Sequence, residues 1–221
     1  NVSTTGFKKT RAEFQDLFYE TLRAPGARAA SGETLPTGAQ VGHGVKLAGV
    51  SRIFSQGDRA NTARDLDIAI EGDGFFQLED GNGQTVYTRD GSFQLDRDGN
   101  IVNSQGFLLT PSIQVPIDAI QVTILRDGTF SALLAGDSSP TELGQIEIAR
   151  FANAAGLRSL GGNLLVPSEA SGDPETGVPG DLGFGAMAQG FLESSNVNMA
   201  EELVRMILAQ RAFEVNSRVI Q

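Results

Sequence analysis

The 221-residue chain carries 17 Lys plus Arg against 27 Asp plus Glu, a formal charge of −10, with 40% apolar and 20% charged residues. This balance supports a packed core and excludes disorder along the whole length, and no stretch approaches the roughly 18 apolar residues of a membrane span. Zero cysteine removes disulfides, thiolate metal sites and a cysteine nucleophile, the single His43 removes any site needing two imidazoles, and the acidic balance argues against nucleic acid.

Asn1 and Gln221 both read as cut ends, so a missing leader does not decide the compartment. Residues 1–68 hold 9 basic and 7 acidic groups, residues 69–189 hold 5 and 16, and residues 190–221 hold 3 and 4. Three domains are expected: an N-terminal helix and linker (1–68), an acidic antiparallel body (69–189) and a C-terminal helix (190–221). The fold class is mainly β.

In the first, Phe14, Leu17, Phe18 and Leu22 recur at helical spacing and stop before Ala24-Pro25-Gly26, which predicts one short amphipathic helix. Residues 24–46 have too few large apolar groups for their own core and are expected to be extended and partner-dependent.

The body reads as hairpins. Phe75–Leu78 and Thr85–Thr88 flank an Asp80-Gly81-Asn82-Gly83 turn, and Ser92–Leu95 and Ile101–Asn103 flank Asp96-Arg97-Asp98-Gly99-Asn100. Arg-Asp-Gly occurs at 89–91, 97–99 and 126–128, three turns that imply an antiparallel body, and Gln145–Phe151 alternates as a further strand. Residues 152–185 read as loop-rich. At the end, Asn198 caps a helix with Glu201 closing a capping box, and Met199, Leu203, Met206, Gln210, Phe213, Ser217 and Ile220 step by four and three. Val204, Ile207 and Leu208 widen this face, so a helix of about 23 residues, near 34 Å long, presents apolar surface that needs a partner helix.

Chemical motifs are weak. Asp96, Asp98 and Asn100 have the first three spacings of a calcium loop, but Ile101 and Phe107 stand where Gly and Glu are required; a solvated turn accounts for them, and for Asp73, Asp80 and Asp90. Gly42-His43-Gly44 and Gly72-Asp73-Gly74 are too short for phosphate loops, and His43 is incidental. Lys8, Lys9 and Arg11 form the only basic cluster, read as solvated beside Glu13 and Asp16 or as docking on an acidic surface. A carboxylate-pair hydrolase acting on cell wall is the rival from another class. No metal, cofactor or small-molecule substrate is expected.

Four segments in order, NVSTTGFKKTRAEFQDLFY, DLDIAIEGDGFFQL, YTRDGSFQLDRDGNIVNSQGFLL and GFLESSNVNMAEELVRMILAQRAFEVNSRVIQ, resemble the bacterial flagellar rod and hook axial proteins from Asn1 to Gln221. The residues carrying the resemblance are Asn1, Gly6, Phe7, Gly74, Phe75, Phe76, Arg89, Gly91, Ser195, Asn196, Val197, Glu201 and Arg211. Phe213, Arg218 and Leu165 depart from the family's usual Tyr, Lys and Tyr. Residues 19–36 look like the insertion typical of distal rod subunits. The resemblance implies a non-enzymatic subunit of the distal rod that polymerises helically and transmits torque, with proximal rod or hook subunits as near rivals. It also implies export by the flagellar type III pathway, residence across the periplasm, and copies of itself, other rod proteins, the hook and the basal-body rings as partners. Met199, Leu203, Met206, Gln210, Phe213 and Ile220 are then expected at the inner helix interface. Tyr19, Leu22, Arg23, Pro25, Leu35 and Pro36 are expected to make the insertion's contacts.

Overall fold

The computed structural model describes residues 1–26, 37–136 and 139–220, with side chains described as far as 218. Its strands pair antiparallel throughout, and the C-terminal helix is the one α-helix among the described residues. The chain divides into Thr10–Ile53 and a larger unit of Asn1–Lys9 with Phe54–Gln221. These borders differ from those expected at 68 and 189. The N-terminal residues and Arg59–Asn61 join Phe191–Glu193, and Ile68–Glu71 pairs with Ala186–Gln189.

In the smaller unit, Thr10–Asp16 pairs with Val45–Arg52 and Tyr19–Arg23 with Ala39–Gly42. The helix expected over Phe14–Leu22 is therefore two strands. A helix of this length is marginal alone, whereas Val45, Leu47 and Val50 offer a remote β partner, setting Phe14 opposite Leu47. Phe14, Phe18, Tyr19, Leu22, Leu47 and Val50 are all exposed. Of the segment expected to be extended, residues 27–36 lie outside the described residues, and Leu35 and Pro36 with them.

In the larger unit, a nine-stranded sheet runs in the order Arg158–Gly161, Leu164–Val166, Thr85–Thr88, Phe75–Glu79, Leu108–Leu109, Ile101–Val102, Gln94–Leu95. Ile148–Arg150 pairs with Phe75–Glu79 and with Glu175–Gly177. A three-stranded sheet of Ala119–Ile124, Thr129–Leu134 and Thr141–Gln145 completes the body. Because successive strand residues face opposite sides, Phe76, Leu78 and Val86 enter the main core while Phe75 and Tyr87 build a second one with Phe151 and Leu165. The predicted strand at Gln145–Phe151 is split: Gln145 ends one sheet and Ile148 begins another, with Ile146 buried between them. Residues 152–185, expected as loop, hold three short strands, Arg158–Gly161, Leu164–Val166 and Glu175–Gly177, and even the buried Leu164–Val166 is too short to show a period.

Turn chemistry explains the hairpins. Asp96 accepts the amides of Asp98 and Asn100, each at 2.8 Å, while Gly99 takes φ +83°, so the aspartate closes the loop and glycine supplies the left-handed residue. Asp80 does the same for Asn82 and Gln84, Asn103 for Gln105 and Phe107, and Asp127 holds Thr129. The three Arg-Asp-Gly tripeptides are not alike. At 89–91 the arginine is buried, and a Cβ on Gly91 would run into the Ile68 carbonyl oxygen, so this glycine serves close packing. Asp90 is correspondingly no solvated turn residue: burial raises its pKa, opposed by hydrogen bonds from Ser92.

Hydrogen bonds lower the carboxyl pKa of three turn aspartates: those from the Gln84 amide at Asp80, from the Asn100 side chain at Asp96, and from the Thr129 amide at Asp127. Folded values below the ordinary 3.8 mean that this support is complete above 3.8 and is lost as pH falls through the folded values. Asp90, shifted the other way, stabilises only when protonated, and its contribution is lost as pH rises through its folded value. Thermal unfolding followed from pH 7 downward is expected to show a shallower acid loss in Asp96→Ala than in the unsubstituted chain; parallel curves would deny the turn its role.

Candidate assembly interface

The C-terminal helix, Met199–Ile220, begins where the sequence places it. Asn198 Oδ1 accepts the amides of Ala200 and Glu201 at 3.0 and 3.3 Å. The return half of the expected capping box is not made. Glu201 instead pairs with Arg205 one turn on, and Lys9 reaches Glu202 at 2.8 Å and Glu201 at 3.7 Å. Two carboxylates in the first turn also favour the positive end of the helix dipole.

Every large apolar side chain described on this helix lies outside the core. Met199, Leu203, Val204, Met206, Ile207, Leu208 and Phe213 are each more than half exposed, and Gln210 is exposed among them. The Ile220 side chain lies outside the described set. A surface helix normally turns its apolar side chains inward, so a run of this length left in water makes this helix the candidate contact surface.

The root of the helix is built from residues far apart in the chain. Lys8, Glu193 and Arg89 are buried to 2%, 1% and 5% exposure. Glu193 Oε1 accepts the Lys8 ammonium at 2.5 Å and the Gly57 amide at 2.8 Å, and its other oxygen lies 3.4 Å from Arg89 Nη1. Lys8 also donates to the Ser55 carbonyl and Arg89 to that of Gly72, each at 2.7 Å, and the guanidinium stacks 5.4 Å above Phe75. Burial pulls the Lys8 pKa down, with Glu193 opposing. The basic cluster is thus corrected: Lys8 is a core group, Lys9 bridges to the helix, and Arg11 alone stays solvated beside Glu13.

Most residues that carry the family resemblance meet here. Asn196 accepts the Lys9 amide at 2.7 Å and donates to Ser55, while Ser195 holds the Val197 amide. Gly6 donates to the Glu193 carbonyl from a φ of +66°, where a Cβ would stand 2.7 Å from the Asp90 amide nitrogen. The Phe7 carbonyl accepts from Asn196, and Asn1 opens the turn before it. Phe76 sits in the core sheet instead, Gly74 packs against Ile148 just before that strand, and Arg211 pairs with Glu214 on the helix surface. Tyr19, Leu22, Arg23 and Pro25 are exposed in the other unit. Among the described residues no cluster of three or more metal-ligating side chains forms, and no helix is long and apolar enough to cross a membrane.

Across its whole length the chain is 49% identical to the flagellar basal-body rod protein FlgG of Borreliella burgdorferi, covering 84% of that protein. The corresponding rod protein of Buchnera aphidicola is 47% identical over all of this chain and 85% of its own. The chain belongs to the flagellar rod and hook protein family. Within it, the family described as flagellar hook protein FlgE/F/G D1 domain matches residues 69–132, and the flagellar basal body rod FlgEFG protein C-terminal family matches 188–221. The flagellar hook protein FlgE of Salmonella typhimurium is 25% identical over 383 aligned residues. A flagellar rod and hook family protein of this kind is a structural component of the basal body, not an enzyme, and it assembles into the rod with other flagellar components.

Proposed function

We propose that this chain is a distal rod subunit whose copies join helically through the C-terminal helix to transmit torque. The observation that carries this is the helix face, with Leu203, Met206 and Phe213 more than half exposed on a root fixed by buried ion pairs. A rigid root and an unpartnered apolar helix suit a subunit that passes load through packing. Met199, Leu203, Met206, Gln210, Phe213 and Ile220 form the inner contact, and residues 19–36 lock neighbouring copies. Rod proteins align with the chain at 47–49% identity over 220–223 residues, whereas the hook protein needs 383 positions at 25%, which favours rod over hook. Export by the flagellar type III pathway, a course across the periplasm, and contacts with neighbouring rod proteins, the hook and the surrounding rings complete the reading.

Negative-stain microscopy of the chain extended to the length of its relatives, beside residues 1–221 at equal concentration, tests it. Straight tubes from the longer chain are expected. Curved tubes would replace the distal rod with a hook subunit.

A further inference from the structure

Between residues 69 and 189 the body has five basic side chains, Arg89, Arg97, Arg126, Arg150 and Arg158, on an otherwise acidic surface. Four have a carboxylate partner: Glu193, Asp98, Glu71 and Glu175 respectively. Arg158 has none among the described residues. It lies on Arg158–Gly161, an exposed strand that forms one edge of the nine-stranded sheet, and Leu160 beside it is 52% exposed. At the opposite edge, Gln94–Leu95 borders a cleft of about 380 Å³ whose apolar wall includes Leu95, Ile117 and Ile120, with Ile117 94% exposed. Asp65 lines the same cleft, and its carboxylate has no cationic partner among the described residues. The neighbouring charges are already satisfied: Asp96 holds its own turn and Arg97 lies against Asp98.

We propose that the Arg158–Gly161 edge of one copy seats in the Asp65 cleft of the next, Leu160 against Ile117 and Ile120 and Arg158 against Asp65. The occupant is a second copy because the two surfaces match in charge and apolar character and lie at opposite ends of one sheet. A patch that meets a different patch on its neighbour gives a heterologous contact, which extends instead of closing into a pair. Covering the bare strand edge also removes a pairing liability from the finished rod. This contact lies on the β body, apart from the C-terminal helix, and it rests on the reading that copies polymerise.

Basal bodies from cells whose only copy of the chain carries Arg158→Asp or Asp65→Arg provide the test. Each reversal sets like charges face to face and is expected to cut the yield of rods about tenfold, and combining both exchanges the signs and restores the yield. A second measurement covers the case in which a reversed charge harms folding. Ile117→Cys and Leu160→Cys in one chain, which has no other thiol, are expected to give a ladder of linked copies when assembled rods are oxidised; either cysteine alone links at most two. Normal rods from both single reversals, loss without rescue in the double, or rods that yield no ladder would each overturn this contact while leaving polymerisation standing. Failure of the unsubstituted chain to form rods would overturn the polymer reading and this contact with it.

Discussion

Replacing Leu203 and Phe213 together by aspartate is expected to abolish rod assembly and to leave the β body folded. Both side chains are exposed in the single copy, so the substitutions create no cavity and bury no charge in the core. Surface changes of this kind usually fall within about 0.5 kcal/mol of neutral, and the unfolding temperature of the body is expected to stay within a few degrees. At the contact proposed for the rod the same positions would be dry. Two carboxylates repeated at every subunit would be desolvated without cations, at a cost of several kcal/mol each, which no polymer contact of ordinary strength absorbs. Counting rods in purified basal bodies, with calorimetry on the free chain, checks both halves. Normal rods would remove the helix from the interface, and an unfolded body would mean that the loss was not one of contact.

Glu193→Ala is expected to destabilise the larger unit by about 3–5 kcal/mol, because removing one member of a buried pair leaves the other uncompensated. Here the loss strands both Lys8 and Arg89 and frees the Gly57 amide. For a chain of this size the unfolding temperature should fall by roughly 6–20 °C. Glu193→Gln, which keeps the shape and the acceptor for Gly57, is expected to cost less. Combining Glu193→Ala with Lys8→Ala should cost less than the two singles added, since the Lys8 ammonium is then no longer stranded and only Arg89 is left unmatched. Strict additivity would show that Lys8 and Glu193 are neighbours without coupling. Since the ion pairs fix the helix root, the same variant should also form fewer rods at temperatures where the body is still folded.

The hairpins and the C-terminal helix could be read from the sequence because their causes are local. Asp96 and Gly99 make their turn with atoms four residues apart, and Asn198 caps a helix it adjoins. The strands at Thr10–Asp16 and Tyr19–Arg23 look helical in the sequence because their partners lie some twenty to forty residues on, and short apolar runs fit either period. The root was harder still. Lys8 and Glu193 are 185 residues apart, and a lysine next to another lysine gives no sign that one is core and the other surface. The one available signal was Arg89, a cation between strands of apolar residues, which needs a buried partner without naming it. The signature residues stand out as a group in the sequence, yet only the fold shows that Gly6, Asn196 and Arg89 converge on a single junction.

The three methionines of the chain allow the most direct test that the helix is the assembly surface. Met199 and Met206 on the helix are 57% and 56% exposed, whereas Met187 in the core is 2% exposed and serves as an internal control. Oxidation of an exposed thioether to the sulfoxide adds one oxygen that mass spectrometry counts at each position. In the free chain Met199 and Met206 should oxidise readily and Met187 slowly; in isolated rods all three should be slow. If Met199 and Met206 oxidise as fast in rods as in the free chain, the helix face is not where the copies meet.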